Sequence, residues 1–168
     1  EGWIDRDRFT AMFGIFAMAE AVNHLQDIAG RAGRYGHDAE ANALGHRISA
    51  RLAELVDREP MEHVWRGVAM LHAQAGLSSD AGTTPGVRIP YGTEPDPVSH
   101  VPALLPHHRH YISGVSEILT LDETVRANPE AVFQLAKGAL QLGFREFTAN
   151  VTGNDLVRVT GFMIRLSD

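Results

Sequence analysis

The sequence predicts a mixed α/β chain, and three observations lead to that prediction. Helix-forming residues dominate the first half, a segment dense in Gly and Pro follows, and strand-like patterns enter only in the last third. These changes divide the 168 residues into predicted segments 1–75, 76–120 and 121–168. The first segment is expected to be helical, the second irregular, and the third a return to helix and strand.

Three helices are predicted in the first segment. Residues 8–28 form the first, and the wholly apolar stretch 11–19 predicts that its opening turns are buried on all sides. A loop with three glycines follows at 29–36. Asp38 is the predicted N-cap of a second helix that ends near Arg58, and a third helix is expected over residues 61–75.

The remaining two segments are predicted from their turn residues. Residues 76–106 are too dense in Gly and Pro for regular structure, and the interleaved apolar residues favour an ordered, functional loop. Helices are predicted over 121–128 and 129–142, the second with Pro129 in its first turn and Gly143 at its end. A strand is expected over 144–151, followed by an extended stretch over 156–166 with Gly161 at its centre.

Composition excludes several classes of function. The chain is 44% hydrophobic with a net charge of -6, and no basic run suggests a nucleic-acid surface. It contains no cysteine, so disulfides, thiolate metal sites and a cysteine nucleophile are excluded within it. The longest apolar run, residues 11–19, is too short to span a membrane. The acidic N-terminus without an initiator Met predicts a cytoplasmic fragment of a longer reading frame.

The stretch 157–165 carries the most specific signal in the chain. Taken alone, its Thr-Gly-Phe indicates only a bulge, because glycine weakens a strand. The longer Arg-Val-Thr-Gly-Phe, residues 158–162, resembles the radical loop of glycyl radical enzymes, which reads Arg-Val-small-Gly-aromatic near the C-terminus. The resemblance implies that Gly161 stores a radical on a loop entering the centre of a ten-stranded α/β barrel, of which this chain is the C-terminal part.

The residue types suit that chemistry. A radical on a backbone α-carbon is stabilised when the carbon is planar, and glycine has no Cβ to clash in that geometry. The apolar residues after Gly161, residues 162–164, would keep water and oxygen away. By resemblance, Arg158, Val159 and Phe162 are expected to be recognised by the activating enzyme.

A second match lies far away in the sequence. Residues 12–21 resemble the Ile-Gly-x-x-Gly-Leu-x-Glu-Ala helix of anaerobic ribonucleotide reductases and their relatives, with Ala17 where that pattern often has Gly. Within the superfamily, residues 91–97, 105–111 and 157–168 most resemble the YjjI-type glycine radical enzymes. The reductases carry a four-cysteine zinc site near the C-terminus, and the lack of Cys counts against a reductase.

The resemblance also implies partners and a cofactor. In this superfamily the glycyl radical abstracts hydrogen from a cysteine, so the N-terminal remainder of the enzyme, or a complementary chain, must supply the thiol. The cofactor is the radical on Gly161 itself. A radical S-adenosylmethionine activating enzyme would generate it, and the 4Fe-4S cluster and S-adenosylmethionine belong to that partner. The enzyme is expected to be anaerobic and oxygen-sensitive, and a homodimer stays open.

Three residues are candidates for the substrate side. Glu20 follows a dry apolar stretch, and a buried carboxylate must find a partner. His107 and His108 lie in a loop that would line the barrel mouth in this family. A metal site built from His100, His107, His108 and His110 is set aside because no carboxylate spacing matches and adjacent histidines point apart.

Two other functions stay open at this point. The chain could be a free-standing spare radical domain that docks into a damaged enzyme, although its helical N-terminal half is more than such a domain needs. It could also be a non-catalytic helical binding module in which Gly161 is only a bulge.

Overall fold

The computed structural model describes residues 5, 8–73, 82–151, 156–159 and 162–165, the last two segments by their backbone. Helices and strands are mixed, which confirms the α/β class. The elements are β1 (Met12–Ile15), α1 (Met18–Ile28), α2 (Ala39–Arg58), β2 (Met70–Ala73), α3 (Pro97–Leu104), β3 (Ile118–Leu121), α4 (Pro129–Leu142), β4 (Thr148–Val151), β5 (Leu156–Val159) and β6 (Phe162–Arg165). Short 3₁₀ turns lie at Trp65–Gly67, Leu105–His110 and Glu123–Arg126.

The described strands form three pairs. β1 lies parallel to β2 with Met12 opposite Met70, and β3 lies parallel to β4 with Ile118 opposite Thr148. Parallel neighbours need a crossover connection, which α1 and α2 provide for the first pair and α4 for the second. β5 and β6 form an antiparallel hairpin.

The helix α2 matches its sequence prediction. Asp38 caps it, its carboxylate accepting a hydrogen bond from the Ala41 amide at 2.9 Å. Leu44, Ile48 and Leu52 pack against the buried core, as their spacing predicts. None of the described helices has the length and apolar character needed to cross a bilayer.

One hydrophobic core joins α1 and α2 to the segments that follow. Met18, Ala19 and Val22 on α1 are buried against it, together with the ring of Tyr35 in the loop before α2. The same core contains β2 and residues from the 87–89, α3 and β3 regions. The predicted segments 76–120 and 121–168 therefore both contribute side chains to the core of segment 1–75.

The prediction of one long helix over 8–28 is wrong in its first part. Residues 12–15 form β1, and the helix begins only at Met18. Met12 and Phe13 are 50% and 54% exposed, so the predicted burial on every side is also wrong for this chain. A short unbroken apolar run fits a strand as well as a helix, and pairing with β2 decides the outcome here.

The turn between β1 and α1 explains one departure from the family pattern. Ala17 has φ 64° and ψ 28°, which is left-handed backbone that favours glycine. The related pattern often has Gly at this position. Glycine is therefore suited to this position because the backbone before the helix must be left-handed. Ala17 adopts the same conformation at an energetic cost.

The predicted helix over 61–75 is wrong as well. His63, Arg66 and Gly67 all have positive φ, which breaks any helix there, and β2 occupies Met70–Ala73. Residues 74 and 75 lie outside the described residues. Because β2 pairs with a distant strand, its sequence carried little local signal.

The second half holds four further differences. Residues 76–106 contain α3, which Asp96 caps and Pro97 begins, since proline costs nothing in a first turn. The predicted helix over 121–128 is a 3₁₀ turn after β3, and the strand over 144–151 is confined to β4. The extended stretch over 156–166 is two strands of a hairpin rather than one. The helix over 129–142 is confirmed, with Gly143 at φ 117° as its cap.

Two glycines inside helices give a matched test of the packing. A Cβ at Gly45 would lie 2.5 Å from Cε2 of Tyr35, whereas a Cβ at Gly138 would meet nothing within 4 Å. We expect Gly45→Ala to lower the free energy of unfolding by about 1–3 kcal/mol through overpacking. Gly138→Ala should raise it by about 0.5–1 kcal/mol, because alanine restricts the unfolded chain. Urea unfolding measures both, and equal shifts in the two variants would contradict the packing described here.

Candidate functional site

The two strands that flank Gly161 in sequence pair with each other. In the β5–β6 hairpin, Arg158 lies opposite Met163 and Val159 lies opposite Phe162. The three predicted recognition residues Arg158, Val159 and Phe162 are therefore on adjacent strands, at the strand ends nearest to Gly161 in the sequence. Residues 160 and 161, which include the predicted radical position, lie outside the described residues.

Glu20 has the partner that its setting in the sequence requires. Its Oε1 accepts hydrogen bonds from the Thr84 amide at 2.8 Å and from the Thr84 hydroxyl at 2.5 Å. Backbone bonds reinforce the contact, since the Ala17 amide donates to the Thr84 carbonyl at 2.8 Å. Glu20 Oε2 is buried and accepts no hydrogen bond from the residues that the structure describes. This carboxylate therefore keeps one oxygen open to a further donor.

His107 is the centre of a buried hydrogen-bond chain with a single direction. The Tyr35 hydroxyl donates to the Val87 carbonyl at 2.7 Å, so its oxygen accepts from Nε2 of His107 at 3.2 Å. His107 Nδ1 then accepts from the Ser49 hydroxyl at 2.8 Å, and Ser49 accepts from the Tyr111 hydroxyl at 3.1 Å. Both ring nitrogens of His107 are engaged, which favours a structural role for this side chain.

Burial favours the neutral form of the titratable side chains in this hydrogen-bond network. It lowers the pKa of His107 to about 3, with smaller effects from His46, His110 and His108. It raises the pKa of Tyr111 to about 12 and holds the pKa of Tyr35 well above its ordinary value.

His108 points away from His107 into a different contact. Its ring stacks on Phe144 with centroids 3.9 Å apart, and Nδ1 accepts from the backbone amides of Val115 at 3.3 Å and Arg145 at 3.2 Å. Nε2 therefore carries the proton, and it is buried without a hydrogen-bond partner among residues 82–151 and the other described segments. Burial, then the charge of Arg145, lowers the pKa of His108 to about 4. The two histidines do not form one site.

A buried ion pair was missed by the sequence reasoning. Arg88 and Glu117 lie 3.4 Å apart, with side chains 1% and 2% exposed, and His100 Nε2 lies 3.7 Å from Glu117. The two carboxylate oxygens of Glu117 also accept from the amides of Ile89 and Ile118, each at 3.0 Å. The signal for it was a lone charge between apolar residues, as in Val87-Arg88-Ile89, which predicts that a partner must be found.

No metal site emerges from the described part of the chain. Within it, no group of three or more His, Asp or Glu side chains is positioned to hold an ion. The four histidines of the 100–110 region point to separate partners.

Comparisons with known proteins agree with the radical motif. The family model for "Glycyl radical enzyme YjjI-like" matches residues 1–168. The chain is 60% identical over its whole length to the uncharacterized protein YjjI of Escherichia coli strain K12, covering 33% of that protein. It is 32% identical to an uncharacterized protein of Haemophilus influenzae strain Rd, again over its whole length, covering 34% of it. No solved structure gives a significant match.

The chain therefore belongs to the YjjI-like family of glycyl radical enzymes. This confirms the resemblance seen in the sequence, including the branch within the superfamily. The chain spans about a third of the length of the curated relatives that it matches.

Acid should destabilise the protein through His107. Its folded pKa of about 3 lies below the unfolded value of 6.5, so the unfolded state binds the extra proton between these limits. Stability is present above pH 6.5 and falls by up to about 1.4 kcal/mol per pH unit as the pH drops towards 3. Between pH 7.5 and pH 5, the free energy of unfolding should fall more steeply in the parent protein than in His107→Gln. Parallel pH profiles would contradict the buried, neutral assignment.

The buried Arg88–Glu117 pair should contribute far more to the free energy of unfolding than an exposed ion pair. Glu117→Gln removes the negative charge beside a fully buried guanidinium and is expected to cost about 3 kcal/mol of unfolding free energy. The control is Glu54→Gln, whose partner Arg51 lies at 2.9 Å with both side chains more than half exposed. That change should cost less than about 1 kcal/mol. Thermal and urea unfolding of both variants checks the difference, and a similar small loss in each would argue against a structural ion pair.

Proposed function

We propose that this chain is the radical-bearing portion of an anaerobic glycyl radical enzyme, and that Gly161 stores an unpaired electron on its α-carbon. The observation that carries the proposal is the Arg-Val-Thr-Gly-Phe motif, whose Arg158, Val159 and Phe162 lie on two paired strands, in a chain of the YjjI-like family. Glycine is required because a planar α-carbon leaves no room for a Cβ. The apolar residues 162–164 support a dry environment for the radical.

The chemistry needs a thiol that this chain does not contain. The glycyl radical would abstract a hydrogen atom from a cysteine, leaving glycine restored and the sulfur as the radical. The chain has no Cys, so the thiol belongs to the remaining two thirds of the enzyme or to a complementary chain. The same absence means that no thiolate here could ligate an iron–sulfur cluster, which agrees with a cluster on the activating partner.

We infer that a radical S-adenosylmethionine enzyme removes the hydrogen atom from Gly161. Arg158, Val159 and Phe162 are the residues we expect it to recognise. Their positions on paired strands support this role, because one protein surface could contact all three backbones at once.

The surrounding fold is proposed to be part of a ten-stranded α/β barrel. Two-stranded parallel sheets with exposed apolar residues, such as Met12 at 50% and Phe13 at 54%, need further layers to cover them. A larger sheet continued by the rest of the enzyme meets that need. The helices α1 and α2 exceed what a spare radical domain requires, which favours an integral part of the enzyme over that alternative.

Among the candidate substrate-side residues, the contacts favour Glu20. Its Oε2 is buried and accepts no hydrogen bond from the described residues. Both ring nitrogens of His107, in contrast, are hydrogen-bonded within the protein. His108 Nε2 is a further open donor, but its ring is clamped against Phe144. We therefore propose Glu20 as the substrate-side carboxylate, and His107 and His108 as supports of the loop.

Electron paramagnetic resonance tests the radical assignment on the full-length enzyme. After anaerobic incubation with its activating enzyme and S-adenosylmethionine, we expect a doublet, because one hydrogen remains on the radical carbon. Growth on α-deuterated glycine should collapse the splitting. Gly161→Ala should abolish the signal, whereas the nearby control Gly153→Ala should retain it.

Oxygen provides a second measurement on the same material. Exposure of the activated enzyme to air should cleave the chain near Gly161, and mass spectrometry should find the shortened product only in proteins that gave the signal. A persistent doublet in Gly161→Ala, or cleavage elsewhere, would contradict the assignment.

A further inference from the structure

A cleft of about 250 Å³ lies beside the N-terminal end of β2. Its walls come from the last turns of α2, from the 3₁₀ turn before β2, and from residues that follow α3 and α4. The charged and titratable side chains that line it are Arg66, Arg109, Arg145, His110 and Asp57. Three guanidiniums from separate parts of the chain thus share one small space.

Each guanidinium is held in place by a neighbour. Arg145 Nη1 donates to the carbonyls of Tyr111 at 2.8 Å and Ile112 at 3.2 Å. Arg66 stacks over the ring of Trp65, 5.6 Å from its centroid. These contacts use only part of the donor capacity of an arginine, which has five N–H groups.

Arg109 is held by two imidazoles. Its guanidinium lies 2.9 Å from Nε2 of His46 and donates to Nε2 of His110 at 3.3 Å, and these two ring nitrogens lie 3.0 Å from each other. Partial burial, together with the charge of Arg109, lowers the pKa of both histidines. The imidazoles therefore fix the guanidinium without adding positive charge.

The cleft is electrically unbalanced. None of its three arginines forms an ion pair with a carboxylate of the described residues, although the chain as a whole carries a net charge of -6. Asp57 is the one carboxylate in the lining, which leaves two net positive charges in the cleft. A preorganised, uncompensated cluster of this kind is suited to an anion.

We propose that this cleft binds a small phosphate monoester. A phosphate monoester carries a charge of about -1.5 to -2 at pH 7, which matches two net positive charges, whereas a single carboxylate would leave one uncompensated. The guanidinium fork fits phosphate oxygens bidentately. Drug-sized ligands occupy about 300–1,000 Å³, so this smaller cleft suits a compact ester rather than a nucleotide.

Binding of this ligand requires neither the radical nor the activating enzyme. It can therefore be measured on full-length, unactivated protein. Isothermal titration calorimetry with glycerol 2-phosphate, at constant ionic strength, should give saturable binding to one site. Acetate under the same conditions should bind much more weakly. Arg66→Gln and Arg109→Gln should each weaken phosphate binding about tenfold, since each loses charge-assisted hydrogen bonds.

Arg51→Gln is the matched control. Arg51 lies on α2 but pairs with Glu54 outside the cleft, so its loss should leave phosphate binding unchanged. Thermal unfolding establishes that the cleft variants are folded. No saturable binding by the parent protein would overturn the proposal, and would be the result if carboxylates from the rest of the enzyme fill the cleft. Equal weakening in Arg51→Gln, or acetate binding as tight as the ester, would overturn it too.

Discussion

The carboxylate of Glu117 holds together parts of the chain that no continuous helix or strand connects. It accepts hydrogen bonds from the amides of Ile89 and Ile118 and faces Arg88 in the buried interior. The segment 82–96 has no helix or strand of its own, and these side-chain contacts position it together with backbone hydrogen bonds from Ala17 to Thr84 and from Gly86 to Ile15. That segment contains the Val87 carbonyl, which accepts from the Tyr35 hydroxyl, and the Thr84 amide, which donates to the Glu20 carboxylate. The carboxylate of Glu117 thus supports the segment that contacts both the candidate carboxylate Glu20 and the histidine network.

The two parallel sheets each have only two strands in the described part of the chain. β1–β2 and β3–β4 are both parallel, each joined by helices, and parallel sheets are usually covered on both faces. Met12 and Phe13 on β1 are apolar yet exposed. This pattern agrees with a chain whose relatives are about three times as long.

Local chemistry made part of this structure predictable from sequence. The Asp38 cap, the proline-first helix α4 and its Gly143 stop all follow from rules that act within one turn, and all are confirmed. The sequence predicts helices where β1 and β2 lie, because each forms a strand only by pairing with a partner more than fifty residues away. The motif around Gly161 could be recognised in the sequence because its residue types suit the storage of a radical on a planar glycine α-carbon. The partners of Arg88 could not be deduced, since a buried charge predicts a partner but not its identity.

The order of donors around His107 has a consequence for proton movement. Every bond runs the same way, from the Tyr111 hydroxyl through Ser49 and His107 to Tyr35, and ends on the Val87 carbonyl. A carbonyl can receive a hydrogen bond but has no proton to pass on, so the line is a dead end. With this order of donors, a proton moving along the line from Tyr111 could not pass beyond the Val87 carbonyl.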